Sequence, residues 1–141
     1  MGYSNLTLGN YGCLTSALCT LASWFGENLT PRTCAKTLFL YTKPVNGKGG
    51  GLIIWKQLEN LFQKIKFLYR YYSFNESIID EYLIKNPNTA VVLQVDRGYH
   101  FVAALGKTQS GYRCVDSYSF PARIRIYKKS DITGFAVLIK K

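Results

Sequence analysis

The spacing of apolar residues changes character part-way along this chain of 141 residues, and that change limits its fold more than any other feature. Up to about residue 65, apolar side chains recur every three or four positions, the period of a helix lying on a core. From Gly12 to Phe25 they stand at Leu14, Ala17, Leu18, Leu21, Trp24 and Phe25, one continuous helical stripe. "GEN" at 26–28 ends it. Thr30-Pro31 offers an N-cap followed by proline at the first helical position, which predicts a second helix to about Tyr41. "KPVNGKGGG" reads as a flexible loop by composition. A third helix is expected from near Leu52, with Ile54, Leu58, Leu61 and Ile65 on one side.

Beyond that point the period falls to two. "KFLYRYYSF" is aromatic-rich and strand-like. "NESIIDEYLIKN" reads as a short helix capped by Asn75. "TAVVLQV", "HFVAALG", "YRCVDSY", "ARIRIYK" and "GFAVLIK" follow as strands separated by turn-like segments. In "ARIRIYK", Arg123, Arg125 and Tyr127 alternate with Ile124 and Ile126, which predicts one polar and one buried face. Helices first and an antiparallel sheet second predict a single α+β domain over 1–141, helical over about 12–65 and mostly β over about 66–141.

Composition narrows the function. Apolar residues are 48% and charged residues 18%, a globular balance. No apolar run approaches the roughly 20 residues that cross a bilayer, so no membrane insertion is expected. "MGYSNLTLGNYG" has no basic stretch followed by an apolar one, and Leu6 breaks the myristoylation pattern, so no export or lipid signal is read here. The net charge of +10 favours acidic partners such as nucleic acid, anionic lipid or a cell-wall polymer. The bases are scattered, however, and only the 123–129 segment resembles a patch. Nucleic acid is therefore a weak third choice of partner. Cys13, Cys19, Cys34 and Cys114 form no Cys-x-x-Cys pair, and His100 is the only histidine, so neither a metal nor another cofactor is expected.

Two residues stand out chemically. Cys13 opens the first helix behind Gly12, and the unpaired N–H groups of a helix N-terminus lower a thiol's pKa. His100 follows a hairpin-like turn at the start of a strand, which predicts a position at the rim of the sheet. It could serve as base and thiolate partner if a third group orients its ring. Asp116 can be that group: a turn centred near residue 108 or 109 brings positions 100 and 116 opposite each other on neighbouring strands. Cys19 and Cys34 are expected to be packing residues. Cys114 shares a strand face with Asp116.

"YGCLTSAL" opening a helix, "TP" introducing the next, "GGLIIWKQLENL", "AVVLQV", "HFVAALG" and "YRCVDSYS" occur in that order from Leu8 onward. In this the chain resembles the papain-like cysteine peptidases that process bacteriocin leaders, the double-glycine peptidase-like family, in its bacterial and phage branch. The resemblance implies a papain-like α+β fold, N-terminal helices packed on a C-terminal antiparallel sheet. It also implies Cys13 as nucleophile, His100 as general base and acid, and Asp116 as the residue that orients His100. The implied substrate is a peptide amide: a double-glycine leader, a peptidoglycan cross-bridge or another protein. Two features depart from the family. No glutamine precedes Cys13 to donate to an oxyanion, and Ser117 stands where the family prefers proline. The first departure would fit a chain that lacks an upstream segment. It would also fit an oxyanion hole made by the Cys13 backbone with Asn10 or Thr7. The alternative is a papain-like module without catalysis, serving in peptide binding or particle assembly, for which eleven tyrosines would suit.

Overall fold

The computed structural model describes residues 13–30, 32–34, 42–45, 48–53, 55–98, 100–116 and 123–141. Helix α1 spans Cys13–Trp24. It turns Ala17, Leu18, Leu21 and Ala22 inward, all at most 4% exposed. Burying a leucine completely contributes about 1.5–3 kcal/mol, so this stripe alone fixes the helix on the sheet. Trp24, expected in the stripe, is 46% exposed. At about 100° per residue it falls on the trailing edge of the apolar arc, in the last turn. Thr30 caps the next helical turn, 32–34, as expected: its hydroxyl accepts the Thr33 N–H at 3.1 Å. The expected continuation over 35–41 lies outside the described residues.

The expected loop at 43–51 is instead a pair of antiparallel strands, β1 (Thr42–Val45) and β2 (Lys48–Ile53). Ladder hydrogen bonds need only backbone, so a run of glycines weakens a strand without forbidding one. The third helix starts later than Leu52 and is shorter than its pattern suggested. A 3₁₀ turn at Trp55–Gln57 leads into α2, Leu58–Leu61, and Ile65 already opens β3, Ile65–Tyr71. Glycine and β-branched residues ahead of Trp55 disfavour helix there.

Helix α3, Glu76–Asp80, is capped by Asn75 as expected, with Ile78 N–H donating to its Oδ1 at 3.1 Å. A π-helical turn, Glu81–Lys85, continues it. The remaining strands are β4 (Thr89–Val95), β5 (His100–Lys107), β6 (Gly111–Asp116), β7 (Arg123–Lys128) and β8 (Gly134–Lys140). They join β3 in a six-stranded antiparallel sheet of order β3-β8-β4-β5-β6-β7. The protein is therefore α+β, with an open antiparallel sheet and a few helices. Among the described residues no helix is long and apolar enough to cross a membrane.

Each face of the sheet carries its own core. On one face, Ala90, Val92, Ala103 and Leu138 pack with α1, Leu58, Phe62 and Ile65. On the other, Val91, Leu93, Val102, Cys114, Phe135 and Val137 pack with Ile79 of α3. This explains why "TAVVLQV" is apolar without alternation: both sides of β4 are covered. The hairpin β6–β7 is drawn tight at Gly111, where an added Cβ would stand 1.9 Å from the Tyr127 carbonyl oxygen. That close approach sets the position of Tyr127, which matters below.

Candidate active site

Cys13 is the first residue of α1 and is half-buried. Burial pushes its thiol up, but a hydrogen bond from His100, backbone contacts at Phe101 and Leu14, and the charge of His100 together outweigh it. The net result is a pKa below the ordinary thiol value. For His100, burial favours the neutral ring, yet hydrogen bonds to Cys13 and Asp116, and the negative charge on both, raise its pKa overall. The two shifts describe one event, the stabilisation of a thiolate–imidazolium pair.

His100 opens β5, as the sequence predicts, but it is 1% exposed rather than standing at an open rim. Its Nε2 lies 2.7 Å from Asp116 Oδ1, a bond that fixes the plane of the ring. The pairing is diagonal. Ala103 faces Val115, so counting along the strands sets Asp116 opposite Val102, not opposite His100. The β5–β6 turn is centred between residues 109 and 110, which alone would set Asp116 opposite Ala103, and the bulge between Ala104 and Gly106 takes back one position. Side chains two positions apart diagonally are still on the same face and within reach for groups of this length.

The turn that delivers His100 is unusual. Asp96, Arg97 and Gly98 have φ of 51°, 56° and 92°, three left-handed residues in succession. For the two non-glycine residues this costs roughly 1–2 kcal/mol each. The side chain of Gln94 spans the turn, its Nε2 donating to the Gly98 carbonyl at 3.0 Å. Its Oε1 in turn accepts from Arg70 Nη2 at 2.5 Å. Arg70 also donates to the carbonyls of Tyr71 and Phe135, bracing the turn from three strands.

Asp116 is as buried as His100, at 1% exposure. Its second oxygen accepts from the Tyr127 hydroxyl at 2.5 Å and from Arg125 Nη1 at 3.2 Å. Burial and the neighbouring carboxylate push the Tyr127 phenol up, so it stays a donor. The Arg125 guanidinium lies 5.3 Å from the Tyr127 ring centre, holding both in place. Tyr127→Phe is expected to lower stability by about 1.5–3 kcal/mol, the range for a hydrogen bond to a charged group. Urea denaturation measures this directly; an unchanged midpoint would show that the bond carries no weight.

The structure thus brings Cys13, His100 and Asp116 together and adds Tyr127, Arg125 and Gln94, which the sequence did not single out. The signal for the first two was present, since Arg125 and Tyr127 share the polar face of "ARIRIYK". The other expectation for that strand fails. Ile124 and Ile126 are 64% and 56% exposed, because β7 is an edge strand beyond the reach of α1. Asn10, Thr7 and Ser117 lie outside the described residues.

The other cysteines are packed. Burial and the Asp116 charge push the Cys114 thiol up to about 12, and its sulfur points to the Tyr112 carbonyl at 3.6 Å. Cys34 is pushed far up by its contact with Cys19 and by burial. Cys19 and Cys34, at 4% and 0% exposed, fit the packing role expected for them. Among the described residues no group of three or more His, Cys, Asp or Glu could hold a metal ion. No family model, no curated protein and no solved structure matches this chain.

Proposed function

We infer that the protein is a papain-like thiol hydrolase that cleaves a peptide amide bond. The observation that carries this reading is the buried imidazole of His100, bonded through Nε2 to Asp116 and paired with a thiol at a helix N-terminus. Cys13 attacks the carbonyl as thiolate, and the negative charge moves to the carbonyl oxygen. The Cys13 backbone N–H and the start of α1 stabilise that oxyanion. His100 gives its proton to the leaving amine as the C–N bond breaks, which leaves a thioester on Cys13. Neutral His100 then takes a proton from water, hydroxide attacks the thioester, and the released thiolate regains its imidazolium partner. Asp116 keeps the ring oriented and stabilises its positive charge throughout. The substrate is a protein or peptide, with cell-wall cross-bridges and double-glycine leaders as the classes suggested by the resemblance. The excess positive charge favours an anionic setting such as a cell wall.

The test is alkylation of Cys13 by iodoacetamide from pH 4 to 9, followed by mass spectrometry in the wild type and in His100→Ala. Cys13 is expected to react fast well below its unfolded pKa of about 8.5, and to lose that reactivity without His100. The signs for stability follow. Raised His100 contributes fully below its unfolded value of about 6.5, and its share is lost as pH rises through the folded value. Lowered Cys13 contributes fully above its unfolded value, and its share is lost as pH falls through the folded one. If the thiol titrates like an ordinary cysteine, the peptidase reading is wrong and the module without catalysis takes its place.

A further inference from the structure

The strand β7 ends the sheet, paired to β6 alone among the described elements. Its two faces are chemically distinct. On the α1 side stand Ile124, Ile126 and Lys128, with Arg113 of β6 beside Ile126. On the other side stand Arg123 and Arg125. Ile124 and Ile126 are among the most exposed large apolar residues described.

Of the cations along this edge, Arg125 alone has an internal counterpart among the described residues, Asp116. All eight acidic residues of the chain are described, at Glu27, Glu59, Glu76, Asp80, Glu81, Asp96, Asp116 and Asp131. Glu76 and Asp80 are held by Lys107, with Lys129 also on Glu76, and Glu81 pairs with Lys85. Asp116 faces His100 and Arg125. Among the described residues, Arg113, Arg123 and Lys128 enter no ion pair.

Charged side chains on an edge strand ordinarily serve to repel another copy of the same edge. That function explains the cations here and argues against self-pairing, because two β7 strands would bring like charges together. It does not explain two exposed isoleucines, which a protective edge would avoid. The combination selects a partner strand of opposite charge.

We propose that β7 is a docking edge for an extended segment of the protein substrate in which carboxylates alternate with apolar residues. The segment adds as a seventh strand. Its apolar side chains lie beside Ile124 and Ile126, and its carboxylates lie beside Arg123 and Arg125 on the opposite face. Backbone hydrogen bonds supply affinity and the alternating side chains supply selectivity. The inference rests on the peptidase reading for its consequence. Strands lie about 4.8 Å apart. A strand on β7 therefore runs about 10 Å from β6, which carries Asp116, and about 15 Å from β5, which carries His100. This edge grips the substrate to one side of the bond that is cut.

The experiment is fluorescence anisotropy with a labelled Glu-Val-Glu-Val-Glu-Val peptide and the full chain carrying Cys13→Ala, so that cleavage does not consume the probe. Binding is expected to weaken about tenfold or more in three cases: with lysine replacing glutamate in the peptide, with alternate backbone amides N-methylated, and in the Ile124→Ser/Ile126→Ser double variant. Arg123→Glu provides a second variant that leaves the core untouched and is expected to weaken binding similarly. Equal binding of the lysine peptide, of the N-methylated peptide or by the double variant overturns the proposal. So does a dimer of the free protein in sedimentation that the double variant abolishes, since a second copy would then be the occupant. If the probe binds while Cys13 of the wild type shows ordinary thiol reactivity, the docking edge stands and the peptidase reading falls. An activated Cys13 with no binding of the probe gives the reverse.

Discussion

Asp116→Ala is expected to lower stability by about 3–5 kcal/mol and to slow Cys13 alkylation at pH 6 by about 10²-fold. The carboxylate satisfies three donors at once, His100, Tyr127 and Arg125. Removing it leaves an imidazole and a phenol without their acceptor in a site closed to water, and breaking a buried charge pair by deleting one partner has that magnitude. The reactivity falls for a related reason. Without the carboxylate the imidazolium loses both its orientation and its stabilising charge, so the thiolate loses its partner. Asp116→Asn separates the two roles. Its amide oxygen can still accept from His100, so ring orientation should be partly restored while the negative charge is gone. Urea denaturation and alkylation rates on the three proteins give the comparison. If Asp116→Ala keeps wild-type stability and wild-type thiol reactivity, Asp116 does not support His100 and the triad is not one.

Phe135→Ala is expected to destabilise the fold by about 3–5 kcal/mol while leaving the reactivity of Cys13 in the folded molecules unchanged. Phe135 is 0% exposed on β8, and its ring stacks on Tyr71 with centroids 4.4 Å apart. Truncation of a fully buried phenylalanine loses its transfer energy and leaves a cavity that a close-packed core fills only in part. A typical domain has about 5–15 kcal/mol of stability in all. The backbone carbonyl that Arg70 uses survives the substitution. The expected record is a lower denaturation midpoint at constant slope with an unaltered alkylation profile below the transition. A shift of under 1 kcal/mol would mean that this face of the sheet can collapse onto the space.

The elements that could be read from the sequence were those with a strong local cause. Leu18 and Leu21 mark α1, Thr30 and Asn75 cap their helical turns, and the five C-terminal strands all form. What escaped depends on contacts between distant segments. In "KPVNGKGGG" the Asn46-Gly47 pair is a local hairpin signal, but the glycines after it carry no side-chain alternation, so the composition reads as a loop. Ile124 and Ile126 looked buried because alternation predicts a covered face, but covering depends on where α1 ends, not on β7. The grouping of Cys13 with His100 was legible because chemistry limits the choice: one histidine in the chain, and a cysteine where a helix begins. Tyr127 and Gln94 were not, since a tyrosine and a glutamine gain their roles only once the carboxylate and the turn they hold are in place.

The strand order has a bearing on how the chain reaches its folded state. The seven residues of β8 pair with β3 on one side and β4 on the other, and β3 and β4 do not touch each other in the ladder. On a ribosome these residues emerge after every other strand. Until they do, the sheet is in two pieces, β3 on one side and the β4–β7 meander on the other. Each piece presents an open inner edge. Residues 134–140 act as the keystone, and the preceding chain must be kept from pairing with its neighbours for as long as translation takes to reach them.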